Sequence, residues 1–352
     1  MAQIVSQPGS IVFTSDIDDI VISSSEEKGA LTVALTTPAG DDITVLEETL
    51  YTDGNGQLTV YDLATLLEPF AREYGRLTMG CSFDDGVAVA SIEPVTILYC
   101  KADVGMTAEQ FLQAHFLTVL DGEKITAYTR EERLYAYGAV SVNVSATVVL
   151  PVGTIAEKTA VLLPVATVND VAQFNVSPKK IIEAIDLVGG KLLTYTVSAG
   201  SRKQDFRMQE EQLLPEPSLV FVNSFGCEEF IHCSGTLKRE GKFTRYSTRI
   251  RTKQKNYRVT EERKYTANTG WMNDAMADWA EELFRSDEVY LWENGRRGRE
   301  IVLSDSKSEI NNEDDFMTAF EFSYTYAQRL HNVMRKKTAV RIFSEQFEDI
   351  YN

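Results

Sequence analysis

Histidine is scarce in this chain: His115, His232 and His331 are all it has in 352 residues. None stands next to a plausible nucleophile, so imidazole-based acid–base chemistry has few candidates. No Gly-x-Ser-x-Gly elbow and no His-Glu-x-x-His helix occurs, and Gly189-Gly190-Lys191 lacks the rest of a phosphate-binding loop. Cysteine is nearly as sparse. Cys81, Cys100, Cys227 and Cys233 are too few for a disulfide framework in a chain of this length, and free thiols are expected. Cys227, His232 and Cys233 look like a metal cluster, but residues 232 and 233 would point to opposite faces of a strand. Buried thiols and a hydrogen-bonded histidine are the expectation, with no metal and no cofactor.

Long apolar runs are missing too. The most apolar window, residues 139–156, is interrupted by Ser141, Asn143, Ser145 and Pro151 and is mostly β-branched, which suits strands and falls short of a membrane span. The first nine residues carry no basic stretch and no apolar segment, so a secretory leader is not expected. Positive charge is in deficit: 35 Lys and Arg face 52 Asp and Glu, net −17, which repels nucleic acid and anionic membranes. These absences together point away from an enzyme.

What is present is β-structure, twice over. Asp62-Leu63-Ala64-Thr65-Leu66-Leu67-Glu68 aligns with Ser177-Pro178-Lys179-Lys180-Ile181-Ile182-Glu183 at an offset of 115. Without gaps, Leu31–Leu35 then falls on Ala146–Leu150 and Gly75-Arg76-Leu77 on Gly190-Lys191-Leu192. Val95–Tyr99 resembles Pro217–Phe221 once a few residues are inserted. Each copy reads as alternating strands followed by one short helix, with Asp62 or Ser177 as N-cap and a glycine exit. Asp53-Gly54-Asn55-Gly56 reads as a hairpin turn joining Leu50-Tyr51 to Leu58–Tyr61; as a calcium loop it fails, with Ala64 where a bidentate Glu is required.

The expected fold class is mainly β with a few helices. The expected divisions are a β-sandwich-like module over 1–105, a linker helix over 106–122 opened by the capping box Thr107–Gln110, a second module over 123–235, and a β/α part over 236–352. In that last part Asn268–Phe284 is predicted helical, Val289–Trp292 and Glu300–Leu303 form a hairpin over Asn294-Gly295, and Phe320–Tyr326 alternates as a half-buried strand. The tail from Arg335 onward is read as a short helix or an arm.

Charge is unevenly spread. Residues 238–264 hold eleven Lys or Arg against three Glu, whereas residues 1–110 hold four basic groups against eighteen acidic ones. Arg245, Arg249, Arg251, Lys253 and Lys255 share one parity, so one extended strand would line them on one face. Three readings stand: an edge strand guarded by cations, a docking strip for an acidic face on a neighbouring subunit, or a nucleic-acid groove, the last disfavoured by the overall charge and by having only Phe243, Tyr246 and Tyr257 interleaved.

Three segments resemble virion structural proteins of tailed phages and prophages, especially those of Bacteroidetes. They are Tyr51–Leu67, Ser218–Gly226 with its Asn-x-x-Gly ending, and Leu283–Leu291 followed by Phe320–Tyr324. The resemblance implies a tail, baseplate or hub component without an active site. It would form rings or layers with other virion proteins or its own copies, after assembly in the bacterial host cytoplasm. The alternative is a carbohydrate-binding or adhesin module that meets a glycan receptor, with Trp271 and Trp292 as a platform; Trp279 and Trp271, on a predicted amphipathic helix, also suit the core.

Overall fold

The computed structural model describes residues 2–138, 141–164, 170–210, 216–310 and 318–328. The chain is mainly β, with four helices among the described residues. The tail from Arg335 lies outside them.

The first unit runs β1 (Gln3–Ser6), β2 (Ile11–Phe13), β3 (Ile20–Ser23), β4 (Lys28–Thr36), β5 (Asp42–Tyr51), β6 (Gln57–Val60), α1 (Leu63–Tyr74), β7 (Arg76–Asp84), β8 (Val89–Ser91) and β9 (Val95–Leu98). Its large sheet has the order β2-β9-β7-β4-β5, with β8 on β7, and a small sheet has the order β1-β3-β6. Period-two alternation puts Leu31, Val33 and Leu35 of β4 and Leu77, Met79 and Phe83 of β7 inward against Ile20 and Ile22 of β3. Leu63, Leu67 and Ala71 on one face of α1 close that core. Each fully buried side chain of this size contributes roughly 1.5–3 kcal/mol.

A connecting helix, α2 (Ala108–Ala114), starts with the expected capping box: Thr107 accepts from the Gln110 backbone and the Gln110 side chain returns to the Thr107 N–H. It stops at Ala114, well short of Gly122, and is packed: Phe111 and Leu112 join Phe13, Leu98, Phe225 and Cys227 in a cluster that ties the units together.

The second unit runs β10 (Lys124–Thr126), β11 (Arg133–Tyr137), β12 (Val142–Val149), β13 (Ile155–Leu163), β14 (Val171–Asn175), α3 (Pro178–Ala184), β15 (Lys191–Ala199) and β16 (Arg202–Met208). Its sheet order is β10-β16-β15-β12-β13, beside the pair β11-β14. This is the first unit again. β2 pairs parallel with β9 as β10 does with β16, and β3 pairs antiparallel with β6 as β11 does with β14. β7 spans 76–84 and β15 spans 191–199, an offset of 115 residue for residue.

The third unit contains β17 (Ser218–Val222), β18 (Glu228–His232), β19 (Leu237–Ile250), β20 (Lys253–Asn268), α4 (Asp274–Arg285), β21 (Val289–Glu293), β22 (Arg296–Lys307) and β23 (Glu321–Tyr326). They form one seven-stranded sheet of order β18-β17-β21-β22-β23-β20-β19. Asn273 caps α4 by accepting from the Met276 N–H, and Met276, Ala277, Trp279, Ala280 and Leu283 pack that helix onto the sheet. The β21–β22 hairpin turns at Asn294 and Gly295, both at positive φ, as the Asn-Gly pair predicts.

Three expectations are corrected. Strands β17 and β18 pair with β21 and so belong to the third sheet, which moves the boundary expected at 235 to before Ser218. The partner of Val95–Leu98 in the duplication is therefore β16, because both lie antiparallel to the strand after the helix and parallel to the unit's edge strand. Asp53–Gly56 does turn tightly, with the Asp53 carboxylate accepting from the Asn55 and Gln57 N–H groups, but the flanking strands do not pair. β5 lies on β4 and β6 lies on β3, so the turn carries the chain from one sheet to the other.

Candidate interaction surface

Strands β19 and β20 pair with each other along their whole length, from Leu237↔Ala267 to Ile250↔Lys253. Only the base of β20, Tyr265–Asn268, also pairs with β23. From Glu240 to Ile250 the two strands stand off the sheet as a ribbon, roughly 35 Å long at about 3.3 Å per residue. Its side chains are exposed on both faces from Lys238 to Arg258. The base explains the emergence: Tyr265 is buried in the third core and stacks on Tyr324 at 5.0 Å, but beyond Glu261 no apolar alternation is left to face a core.

The five basic residues expected on one face do not share one. The chain reverses at Arg251 and Thr252, and Arg251 itself holds a left-handed backbone (φ 56°) in the turn. Cross-strand partners point to the same side, so Arg245 and Arg249 lie on one face with Phe243 and Val259, while Lys253 and Lys255 lie on the other with Ile250. A bulge at Tyr257, the residue skipped between Tyr246↔Arg258 and Ser247↔Asn256, then brings Arg258 onto the face of Lys253 and Lys255. The tip is thus cationic all round.

Between Phe243 and Thr260 there are six Lys or Arg and no carboxylate. The ion pairs of the ribbon lie nearer its base: Lys238–Glu240, Lys242–Glu262, Arg263–Glu261 and Lys264–Asp305. Among the described residues no ion pair reaches the six distal cations. Two are braced by aromatics instead: Arg245 lies 6.0 Å from the Phe243 ring centre and Arg258 lies 5.7 Å from that of Tyr246. Phe243, Tyr246, Ile250, Tyr257 and Val259 are all exposed, so cations alternate with apolar groups in contact with water.

A second polar constellation lies where the second and third units meet, and sequence reasoning did not find it. Lys124 Nζ is 2.7 Å from Glu132 Oε2 and sits 4.2 Å over the Trp279 ring. The Trp279 indole donates to Glu229, whose other oxygen accepts from Asn223 Nδ2 at 3.1 Å. Burial raises the Glu229 carboxyl above its ordinary range, offset in part by Lys124. His232 accepts from Ser218 at Nδ1 (3.0 Å) and donates from Nε2 to the Glu131 carbonyl (3.1 Å), the tautomer those partners require. Burial holds its pKa down at about 3, so it stays neutral. The cluster joins residues 124–132 to residues 218–232 and Trp279, with contacts such as Lys124 Nζ to the Phe230 carbonyl and His232 to the Glu131 carbonyl spanning more than 100 residues, which leaves no local motif to read.

Lys124, Glu132, His232 and Trp279 of the cluster line a cavity of about 20 Å³, bounded also by Arg130, Ile231 and Met276. That is room for about one water molecule. Its groups bond one another and their neighbours, so its chemistry is that of a clamp between units. The thiols fit the same picture: Cys227 and Cys233 are buried with pKa values driven up by desolvation, as are Cys81 and Cys100.

Asn223–Gly226, the Asn-x-x-Gly ending of β17, is the turn into β18. The Asn223 side chain accepts from the Phe225 and Cys227 N–H groups and donates to the Leu117 carbonyl. Of the tryptophans, Trp279 is core and Trp271 is 68% exposed, so the expectation that both are buried holds only for the first. Trp292 lies edge-on to Phe230 at 4.8 Å with Arg133 over its ring.

No protein-family model matches the chain, and no curated protein is similar to it.

Proposed function

We propose that this chain is a non-enzymatic structural subunit of a phage tail, baseplate or related assembly, acting through protein–protein interfaces in a virion put together in the host cytoplasm. The ribbon is the observation that carries the reading. A two-stranded ribbon buries too little to stabilise itself, and exposed aromatics between cations that no ion pair reaches among the described residues cost solubility unless something covers them. The compact, mutually bonded cluster between units supports the same reading, since it joins units rather than opening a cleft. The ribbon cations Arg245, Arg249, Arg251, Lys253 and Lys255 are the interface residues, with Arg258 and the exposed aromatics added by the fold. The exposed Trp271 is what favours the alternative, a glycan-binding receptor module.

Mass spectrometry of purified particles, after amine cross-linking, tests the proposal. The chain is expected at structural abundance, with links from Lys253 or Lys255 to another virion protein or another copy. Particles that lack it, or clear and saturable binding on a glycan array without such links, would overturn the assembly role.

A further inference from the structure

We propose that the ribbon's partner is a second copy of this chain, docked on the acidic end of its first unit; this rests on the assembly reading and specifies its contact. The two copies of the duplicated unit share sheet order and helix placement, so the second shows what charge this fold needs. Residues 123–210 hold ten Lys or Arg against nine Asp or Glu, whereas residues 1–110 hold four against eighteen. The shared sheet order does not itself call for the excess acid, although Asp53, Asp84 and Asp85 each accept backbone N–H groups in their own turns.

It is also concentrated. At one end of the first unit the loops after β3, β5 and β7 come together: Ser24 N–H donates to the Gly56 carbonyl, Thr52 N–H to that of Glu27, and Ser24 Oγ to Asp85 Oδ2 at 2.8 Å. These loops bring the exposed Glu26, Glu27, Asp53 and Asp84 to one pole beside Lys28, while Asp85 is buried and accepts from Ser24 and from the Val87 and Ala88 N–H groups. Glu47 and Glu48 lie exposed on the adjoining edge strand β5. The equivalent loops of the second copy contain a single acid, Asp170.

The ribbon supplies the opposite charge on a matching length. A chain of net −17 with +8 over residues 238–264 carries −25 elsewhere, so the ribbon is attracted to the rest of another copy. A polyanion such as nucleic acid would be repelled by the same −25. A reach of roughly 35 Å is about the width of a 100-residue module, whose radius of gyration is about 13 Å. At the tip, Arg251 holds a left-handed backbone that glycine adopts freely, so a cation is kept there at a conformational cost. A ribbon roughly 35 by 10 Å covers about 350 Å² per face, under half of the ~800 Å² per partner of a stable interface. Association should accordingly be weak, salt-sensitive and head-to-tail, the contact type that makes rings or filaments.

Sedimentation velocity at about 100 μM chain and about 30 mM salt tests this, a regime where screening is weak. The unaltered chain is expected to self-associate and to lose that association at about 0.5 M salt. A ribbon variant (Arg245→Glu, Arg249→Glu, Lys253→Glu, Lys255→Glu) and a pole variant (Glu26→Lys, Glu27→Lys, Glu47→Lys, Glu48→Lys) should each be monomeric, with unchanged circular dichroism. Mixed together they should associate again, since each then presents what the other lacks. A monomeric unaltered chain, or a mixture that stays apart, would overturn the homotypic contact. So would tighter binding of the ribbon to a single-stranded oligonucleotide than to the chain itself. The assembly reading survives each of these if cross-links in particles run from the ribbon to a different virion protein, so the two failures are distinguishable.

Discussion

The first and second units are built to one plan and differ in what they show to solvent. Both place the strand after the helix at the centre of a five-strand path. Yet the first is strongly acidic and the second is near neutral. The second carries a buried ion pair, Lys124–Glu132, where the first shows none among its described residues. The apolar alternation and the helix-entry and exit signals are thus enough to specify the architecture. Surface charge is free to vary, and a large difference between copies marks work done outside the fold.

The largest effect that would sharpen this comparison lies at the ion pair. Lys124→Met leaves Glu132 buried without its cation, an expected loss of about 3–5 kcal/mol in urea unfolding. The double change Lys124→Met with Glu132→Leu should recover most of that. If the single change is harmless, the pair is not the clamp described.

Next come Leu77 and Leu192, equivalent at the offset of 115 and both buried. Leu77→Ala and Leu192→Ala should each cost about 2–5 kcal/mol, within about 1 kcal/mol of one another. A much smaller loss at either position, read by hydrogen exchange of its own unit, would break the equivalence.

A third effect depends on pH. His232 is held at about 3 in the folded chain and titrates near 6.5 when unfolded, so between these values the unfolded state binds more protons. Stability is then present above the unfolded pKa and declines as pH falls through that window, by at most about 1.4 kcal/mol per pH unit. His232→Gln should flatten the curve between about pH 6 and pH 4, measured against the unaltered chain to cancel the carboxylates. An unchanged slope would mean that the ring reaches water.

The smallest effect concerns the acid of the first unit itself. Glu47→Thr with Glu48→Thr on the exposed edge strand should change stability by no more than about 0.5 kcal/mol. A loss of several kcal/mol there would show that the first unit needs its acid after all.

Much of the fold is legible in the residues because its cues are local. Leu31–Leu35 against Ala146–Leu150, the two helix entries, and Gly75 against Gly190 expose the duplication, and the pairing of strands agrees with it. Asn294-Gly295 specifies its hairpin, and Thr107–Gln110 its capping box. Where reasoning failed, the deciding partner was remote. β17 looks like a strand of the second unit by position, but its apolar residues on both faces, Leu219, Val220 and Phe221, need neighbours that β21 and α4 provide. Asp53–Gly56 looks like a hairpin turn because a turn does not say which strand its exit will join.

The interaction surface divides in the same way. That residues 238–264 are basic, extended and free of a helical pattern is a property of composition and periodicity, available from the chain alone. That they fold back on themselves at Arg251, spread their cations over two faces and leave the sheet was decided by tertiary structure. A pairing register, a bulge at Tyr257 and the burial of Tyr265 against Tyr324 depend on strands brought together only in the folded state. Local patterns set what each segment prefers, and long-range contacts choose which of those preferences meet.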